Sequence, residues 1–409
     1  MKTVLLINLP DPQSSRQKRV ISPPIGLWAI RSYLERRDVF CYVHDMNMEG
    51  GYPPFSSTGK QWDLVGLSCR YSQQHDIYEG MAAYLKKLTP LLIAGGQHAS
   101  AVERPKGVSL TCKGSGEQFI AKLLGLPDTP PRFVFPRFSS DELRLYHEEN
   151  CPHDLTSATA KWLPVETSRG CGRRCGFCGV SEYWGSWRDN DINGLERYLA
   201  YLVKEHGIEE LLIEDDQLTF SPARFIRITE LLRAYGIEWS APNGISVAHI
   251  NSPEMLRVLA RSTCWRLSLP LETGTRHSAD LMGLGNKWID PRRAEALILK
   301  LKDIGIKTCG FFVIGYPGEI EQDVTDTLAY ANSLPLDDRH IYCATPYPGT
   351  QLHDSCVRNR WLTLPDGPEL YRSLTYTRSV ITTPWLSADR VTELREQDRA
   401  AALERRKKI

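Results

Sequence analysis

The sequence predicts an α/β protein: an N-terminal doubly wound parallel sheet, then a partial (β/α)6 barrel, then a short helical C-terminal tail. Three observations predict it. Short apolar runs alternate with helix-period stretches from the first residues to about 350, the pattern of parallel strands joined by right-handed crossovers. A proline-rich stretch of weak periodicity, 126–160, interrupts the alternation as a linker would. Polar or glycine-bearing groups close nearly every apolar run, and such sheets bind ligands beyond the carboxyl ends of their strands. The expected organisation is a first domain over 1–125, a linker over 126–160, a barrel over 161–355 and an extension over 356–409.

In the first series, the apolar run 4–7 stops at Asn8, and Pro23-Pro24 opens a helix over 25–34. A second strand, 40–43, runs into His44-Asp45, and a third, 64–68, ends at Ser68. A helix over 76–87 precedes a fourth strand, 91–94, closed by Gly95-Gly96. A fifth, 108–110, stands before Gly114 and another helix. This half reads as Rossmann-like. In the second series, a strand over 162–166 leads into a cysteine-bearing loop, and a helix follows over 194–206. The strand 210–213 ends in Glu214-Asp215-Asp216. Helices over 223–235, 252–262 and 291–304 alternate with strands over 238–240, 266–269 and 307–314. Those strands lead to Asn243-Gly244, to Glu272 and to Gly315-Tyr316-Pro317-Gly318-Glu319. A last strand, 341–342, leads to Pro346-Tyr347, and the tail carries one helix over 387–405. Its basic end suits the helix dipole, and a solvated helix terminus is its reading.

Composition narrows the function classes. The chain has 409 residues, a formal net charge of +1 and 42% hydrophobic residues. That balance gives no electrostatic reason to expect nucleic acid or an anionic membrane as partner. The first apolar run is too short for a signal peptide, and no stretch reaches the roughly 18 uninterrupted apolar residues of a membrane span. The expected compartment is the cytoplasm. The 11 cysteines are odd in number and mostly scattered, which argues against a disulfide framework.

Cys171, Cys175 and Cys178 are the exception. Three chemistries compete for them. Structural zinc wants four ligands, commonly as two pairs, and the nearest further donors, Cys151 and His153, lie upstream of the expected strand. A redox dithiol would use Cys175 and Cys178 and leave Cys171 unexplained. An iron–sulfur cluster with three thiolates leaves one iron open to a ligand. Gly170, Gly172, Gly176 and Gly179 let the backbone wrap a bulky cluster, and Arg169, Arg173 and Arg174 can offset its charge.

The spacing Cys171-x-x-x-Cys175-x-x-Cys178, with Phe177 before the last cysteine, after a strand that opens a βα series, resembles the radical S-adenosylmethionine (SAM) superfamily. The resemblance implies a [4Fe–4S] cluster whose open iron binds SAM, and reductive cleavage of SAM to a 5′-deoxyadenosyl radical that abstracts a substrate hydrogen. It covers about residues 160–355 and places further SAM contacts at Asp215, Asp216, Glu272 and Gly315. Asp215-Asp216 with Phe220 downstream resembles the cobalamin-associated branch.

The front half strengthens that resemblance. Ser22-Pro23-Pro24-Ile25-Gly26-Leu27, Asp63 to Ser68, Ala94-Gly95-Gly96-Gln97-His98-Ala99 and Lys113-Gly114-Ser115-Gly116-Glu117 resemble the cobalamin-binding domain fused to many radical SAM enzymes. Ser115 departs from that pattern, which has a glutamate there. Asn8, Ser68, Gly95, Gly96, His98 and Gly114 are the implied cobalamin contacts. The DxHxxG motif that supplies a cobalt-ligating histidine is absent. The implied activity is cobalamin-dependent C-methylation of an unactivated carbon in a natural-product or peptide substrate. A second SAM supplies the methyl, and a flavodoxin or ferredoxin supplies the electron. The alternatives are a radical rearrangement, dehydration, epimerisation or ring contraction without methyl transfer, and a non-catalytic cobalamin- or SAM-sensing module. Tyr316, Tyr342 and Tyr347, with Trp184 and Trp187, are the candidate substrate-lining residues.

Overall fold

The computed structural model of the chain describes residues 2–11, 22–49, 62–126, 134–149, 159 and 161–407. The chain divides into two compact units, 1–167 with 188–212, and 168–187 with 213–409. Cys151 and His153 lie outside the described residues.

In the first unit, β1 (Thr3–Asn8), β2 (Phe40–Asp45), β3 (Leu64–Ser68), β4 (Leu92–Gly95) and β5 (Leu110–Cys112) form a parallel sheet in the order β2-β1-β3-β4-β5. The order reverses between β1 and β3, which opens a crevice at their carboxyl ends. Asn8 stands in register with both Asp45 and Ser68, and Ser68 with Gly95. The helix His75–Leu85 covers one face of the sheet with Tyr78, Met81, Ala82 and Leu85, one stripe at helical spacing, against Leu5, Ile7, Val65 and Leu67. Fully burying such a side chain contributes about 1.5–3 kcal/mol.

Two expectations change here. The fifth strand begins two residues later than the apolar run, because Val108 packs into the core before pairing starts. The segment expected as a linker over 126–160 holds a helix, Ser140–Glu149. Its Leu143 and Tyr146 are buried, and Tyr146 Oη donates to Asp45 Oδ2 at 2.7 Å. Arg31 pairs with Glu142 and donates to the Arg137 carbonyl at 3.0 Å, while the Trp28 ring lies 5.1 Å from Phe138 and 5.6 Å from Tyr146. The prolines before the helix mask an i, i+3 apolar pair that belongs to the first unit's core.

The second sheet has six strands in chain order: β6 (Trp162–Val165), β7 (Glu210–Ile213), β8 (Glu238–Ala241), β9 (Cys264–Glu272), β10 (Lys307–Ile314) and β11 (Asp338–Cys343). β8 through β11 pair in parallel. Leu267, Leu269 and Leu271 alternate on β9 as buried residues. Phe312 of β10 meets Tyr330 of the helix Glu321–Ser333 edge to face, which marks that side of β10 as the helix-covered one. Cys309, Phe311 and Val313 therefore face the lumen. The helix Pro222–Ala234 starts where its sequence says it should: Ser221 Oγ accepts from Arg224 N, and Pro222 opens the first turn. The helix Glu321–Ser333, which the periodicity does not announce, is capped by Asp323, which accepts from Ile320 N at 3.0 Å. β11 is longer than its apolar core because Asp338 and His340 lie on its lumen face. The tail helix spans Ala388–Lys407. Among the described residues, no helix is long and apolar enough to cross a membrane.

Candidate active site

The cysteine loop hangs from hydrogen bonds at both ends and in its middle. At its start, Ser168 Oγ donates to Asp215 Oδ2 at 2.5 Å and Gly170 N donates to Asp216 Oδ2 at 2.8 Å. At its centre, Gly176 N donates to the Met282 carbonyl at 2.9 Å, and the Gly176 carbonyl accepts from Leu352 N at 2.8 Å. Cys178 N closes a turn onto the Cys175 carbonyl at 3.0 Å, and the helix Val180–Trp184 follows. Cys175 is buried, while Cys171 and Cys178 are partly exposed. Phe220, stacked on Trp187 with ring centroids 4.6 Å apart, lies against Gly172.

Gly176 has no room for a side chain: a Cβ there would stand 2.2 Å from Tyr316 Oη. Gly176→Ala is expected to destabilise the loop by about 1–3 kcal/mol and to lower the metal it retains. Tyr316→Phe in the same chain removes the clashing oxygen and is expected to restore part of both. Melting temperature and iron content check this; no rescue by the second change would place the defect elsewhere.

A charge pair that the sequence did not announce lies beside the loop. Glu272, at the end of β9, has φ +66°, a left-handed conformation that is costly outside glycine, and the β9–β10 register slips between Pro270 and Glu272. Such a bulge re-aims a side chain. Lys287 Nζ donates to Glu272 Oε1 at 2.5 Å, with both side chains largely buried. The ammonium is 5.8 Å from the Phe177 ring centroid. Burial works against its charge, yet Glu272, with the thiols of Cys175 and Cys178 behind it, holds the Lys287 pKa above the ordinary lysine range. Burial pushes the Cys175 thiol up, with Lys287 pulling the other way. It pushes Cys178 up to about 12, against the Val180 backbone and Lys287. A lone lysine in the loop Gly283 to Trp288 carries no pattern, so only tertiary structure reveals it.

Glu319 is fully buried, and its Oε2 accepts from Tyr316 N at 2.8 Å. Burial pushes its pKa up to about 7; the Ser278 hydroxyl beside it and the backbone of Tyr316 and Gly315 pull the other way. Neither Ser278 Oγ nor Glu319 Oε1 meets hydrogen-bond geometry, so the second oxygen has no donor. The folded state therefore favours the protonated acid. That stability is complete below about 4.5, the ordinary value, and is lost as pH rises through about 7. Above that pH the cost is about 3 kcal/mol. Glu319→Gln is expected to gain on the wild type between about pH 5 and pH 8 in melting temperature; a difference flat across that range would sink this assignment.

The structure gathers Cys171, Cys175, Cys178, Phe177, Asp216, Glu272 and Tyr316 around one loop. Asp215 is buried against Ser168, and Asp216 anchors Gly170. Gly315 makes its close approach to the tail helix, where a Cβ would stand 2.7 Å from Val391. Tyr316 and Tyr347 pack against the apolar cluster of Cys175, Met282, Leu352 and Cys356. Tyr342 lies against Phe311, His340 and Tyr376. Trp184 lies under the Arg169 guanidinium, 4.9 Å from its ring centroid.

In the first unit, Ser68, Gly95, Gly96 and Gly114 stand at the carboxyl ends of β3, β4 and β5. Gly96 adopts φ +101°, and a Cβ there would stand 2.4 Å from the Cys69 carbonyl oxygen, so only glycine fits. Asn8 is buried and donates to Asp45 Oδ1 at 2.9 Å. His98 is also buried, with Nδ1 at 3.1 Å from Ser72 Oγ and Nε2 at 3.0 Å from His75 Nδ1. Burial and the neighbouring His75 push its pKa down to about 3. Both Asn8 and His98 are thus engaged inside the unit's own polar network.

Residues 165–331 match the radical SAM superfamily. An uncharacterised methyltransferase of Pyrococcus horikoshii is 24% identical over 88% of this chain and 85% of its own length. The cytidylyl-2-hydroxyethylphosphonate methyltransferase of Streptomyces wedmorensis is 25% identical over 62% of this chain, which spans only 47% of that protein. Among solved structures, the radical SAM methyltransferase TsrM of Kitasatospora setae, with cobalamin and a [4Fe–4S] cluster bound, aligns with a TM-score of 0.67 at 16% identity, over 96% of this chain and 84% of its own. OxsB, a cobalamin-dependent SAM radical enzyme with aqua-cobalamin bound, aligns at 0.61 and 16% identity, over 100% of this chain and 62% of its own. At such identities the structural likeness establishes a shared fold.

Proposed function

We propose, from the premise that this chain carries a radical SAM domain over residues 165–331, that it is a cobalamin-dependent radical SAM methyltransferase acting on an unactivated carbon of a small-molecule or peptide substrate. One observation carries the reading: three thiols, and three only, on a loop tied by its backbone to the barrel. Among the described residues, the three sulfurs do not all lie within 4.8 Å of one another. Ligands of one zinc ion would lie roughly 3.8 Å from each other, given Zn–S bonds of about 2.3 Å. Sulfurs spread more widely fit the corners of a cluster.

When bound, the [4Fe–4S] cluster and SAM supply hydrogen abstraction, and cobalamin supplies a methyl carrier. The chain's own residues hold and orient. Lys287 and Glu272 present one cation and one anion side by side, the complement of an α-amino acid zwitterion such as the methionyl end of SAM. Phe177 walls this pair, and burial keeps water away from it. In the first unit, small residues at Ser68, Gly95, Gly96 and Gly114 leave space at the strand ends for a corrinoid tail. With both ring nitrogens of His98 engaged, the residues present fit a cobalamin held without that imidazole on cobalt. A flavodoxin or ferredoxin is the proposed electron donor and the reducing cytoplasm the proposed compartment.

Anaerobic reconstitution with iron, sulfide and hydroxocobalamin, followed by desalting, tests the reading. About four irons and one corrinoid per chain are expected, with SAM cleaved under a strong reductant. Four irons with SAM cleavage and no corrinoid would move the rearrangement or dehydration reading to first place. No SAM cleavage by a loaded cluster would sink both and favour a sensing module.

A further inference from the structure

The barrel lumen carries a second donor group, away from the cysteine loop. Cys309 on β10 and Asp338 and His340 on β11 offer a sulfur, a carboxylate oxygen and an imidazole nitrogen, all within 4.8 Å of one another. Cys309 stands in register with Asp338, and Phe311 with His340, so the three share one face of two adjacent strands. The platform is stiff. The His340 ring lies 5.7 Å from Phe311 and stacks parallel to Tyr342 at 5.9 Å, which holds its orientation. Cys309 is fully buried and the other two are partly exposed, so the group is open on one side. It lies toward the amino end of β10, roughly 16 Å along the strand from Ile314 at about 3.3 Å per residue.

We propose that Cys309, Asp338 and His340 form a binding site for a zinc-type divalent cation, with the fourth position left to water. Thiolate, imidazole and carboxylate together are the donor set of zinc, and three protein ligands with one open position are its non-structural form. Magnesium and calcium would want oxygen alone. Burial pushes the Cys309 thiol up to about 11, and Arg266 on β9 stands close enough to pull the other way. Arg266 stabilises the thiolate while repelling a cation; Asp337 and Asp338 restore negative charge around it, and Tyr342 completes the titratable surroundings. Asp337 is held in place by the Thr308 amide at 2.7 Å. On binding, the Cys309 sulfur exchanges its S–H bond for a metal–sulfur bond and the proton leaves to solvent, so affinity rises with pH. This group is independent of the radical chemistry.

The test uses the full chain with its cluster loaded, so that iron content shows the cysteine loop to be filled. The chain is equilibrated with zinc ion alone, desalted, and assayed for zinc and iron. About one zinc per chain is expected beyond the iron, and at least about tenfold weaker zinc binding, by chelator competition, in Cys309→Ser and His340→Ala. His340 is half-exposed, so its variant keeps the fold even where Cys309→Ser does not. A wild type that retains no zinc, or a His340→Ala chain that retains as much as wild type at equal iron, overturns the site.

Discussion

Cys175→Ala is expected to yield a folded chain that holds at least about tenfold less iron than wild type and releases no methionine from SAM. The packing loss is small, because alanine keeps the Cβ among Met282, Leu352 and Cys356. The chemical loss is complete, because three thiols is the minimum that holds a cubane while leaving one iron open, and the described cysteines outside the loop are all buried. Cys356→Ala is the matched control: it sits in the same apolar cluster and is expected to keep its iron. Iron assay, visible absorption and methionine release decide between them. Iron and cleavage retained by Cys175→Ala would remove the cluster from this loop.

Lys287→Met is expected to weaken SAM binding by about 10- to 100-fold, the worth of a charged hydrogen bond. It is also expected to cost about 3–5 kcal/mol of stability, because Glu272 is left buried without its cation. The two effects separate in the double variant Lys287→Met/Glu272→Leu. Removing both charges recovers stability, since an apolar pair fills the site without a stranded ion. SAM affinity stays low, since nothing then answers the zwitterion. Calorimetric binding and thermal unfolding read the two quantities apart. A double variant that binds SAM like wild type would make the pair structural only.

How far these sites are legible depends on the kind of signal each residue leaves. Cys171, Cys175 and Cys178 leave a spacing, and Gly95-Gly96 and Gly318-Glu319 leave turn chemistry at strand ends, so all are readable along the chain. The parallel order of the first sheet follows from strand and helix alternation. Lys287 leaves no local signal, because its meaning comes from Glu272, fifteen positions away in sequence and aimed at it by a bulge. The helix Ser140–Glu149 is hidden by its proline-rich approach, and Glu321–Ser333 by a polar exposed face that dilutes its apolar stripe. His98 stands out by its motif position; burial, which sequence does not display, turns it onto Ser72 and His75. Likewise Tyr347 is aromatic at a strand end, and packing against Tyr376 decides where it lies.

The division of the chain has a consequence for its birth. The first unit takes 1–167 and then 188–212, so the polypeptide leaves it at Ser168 and rejoins it at Arg188. A ribosome releases residues in order, and a unit closes only when its last piece has emerged. By the time Leu212 is out, all three cysteines have already emerged. Met282 and Leu352, whose backbone groups clasp Gly176, have yet to be made. The clasp on Gly176 is therefore complete only after Leu352 has been made, later in the chain than both segments that flank the cysteines.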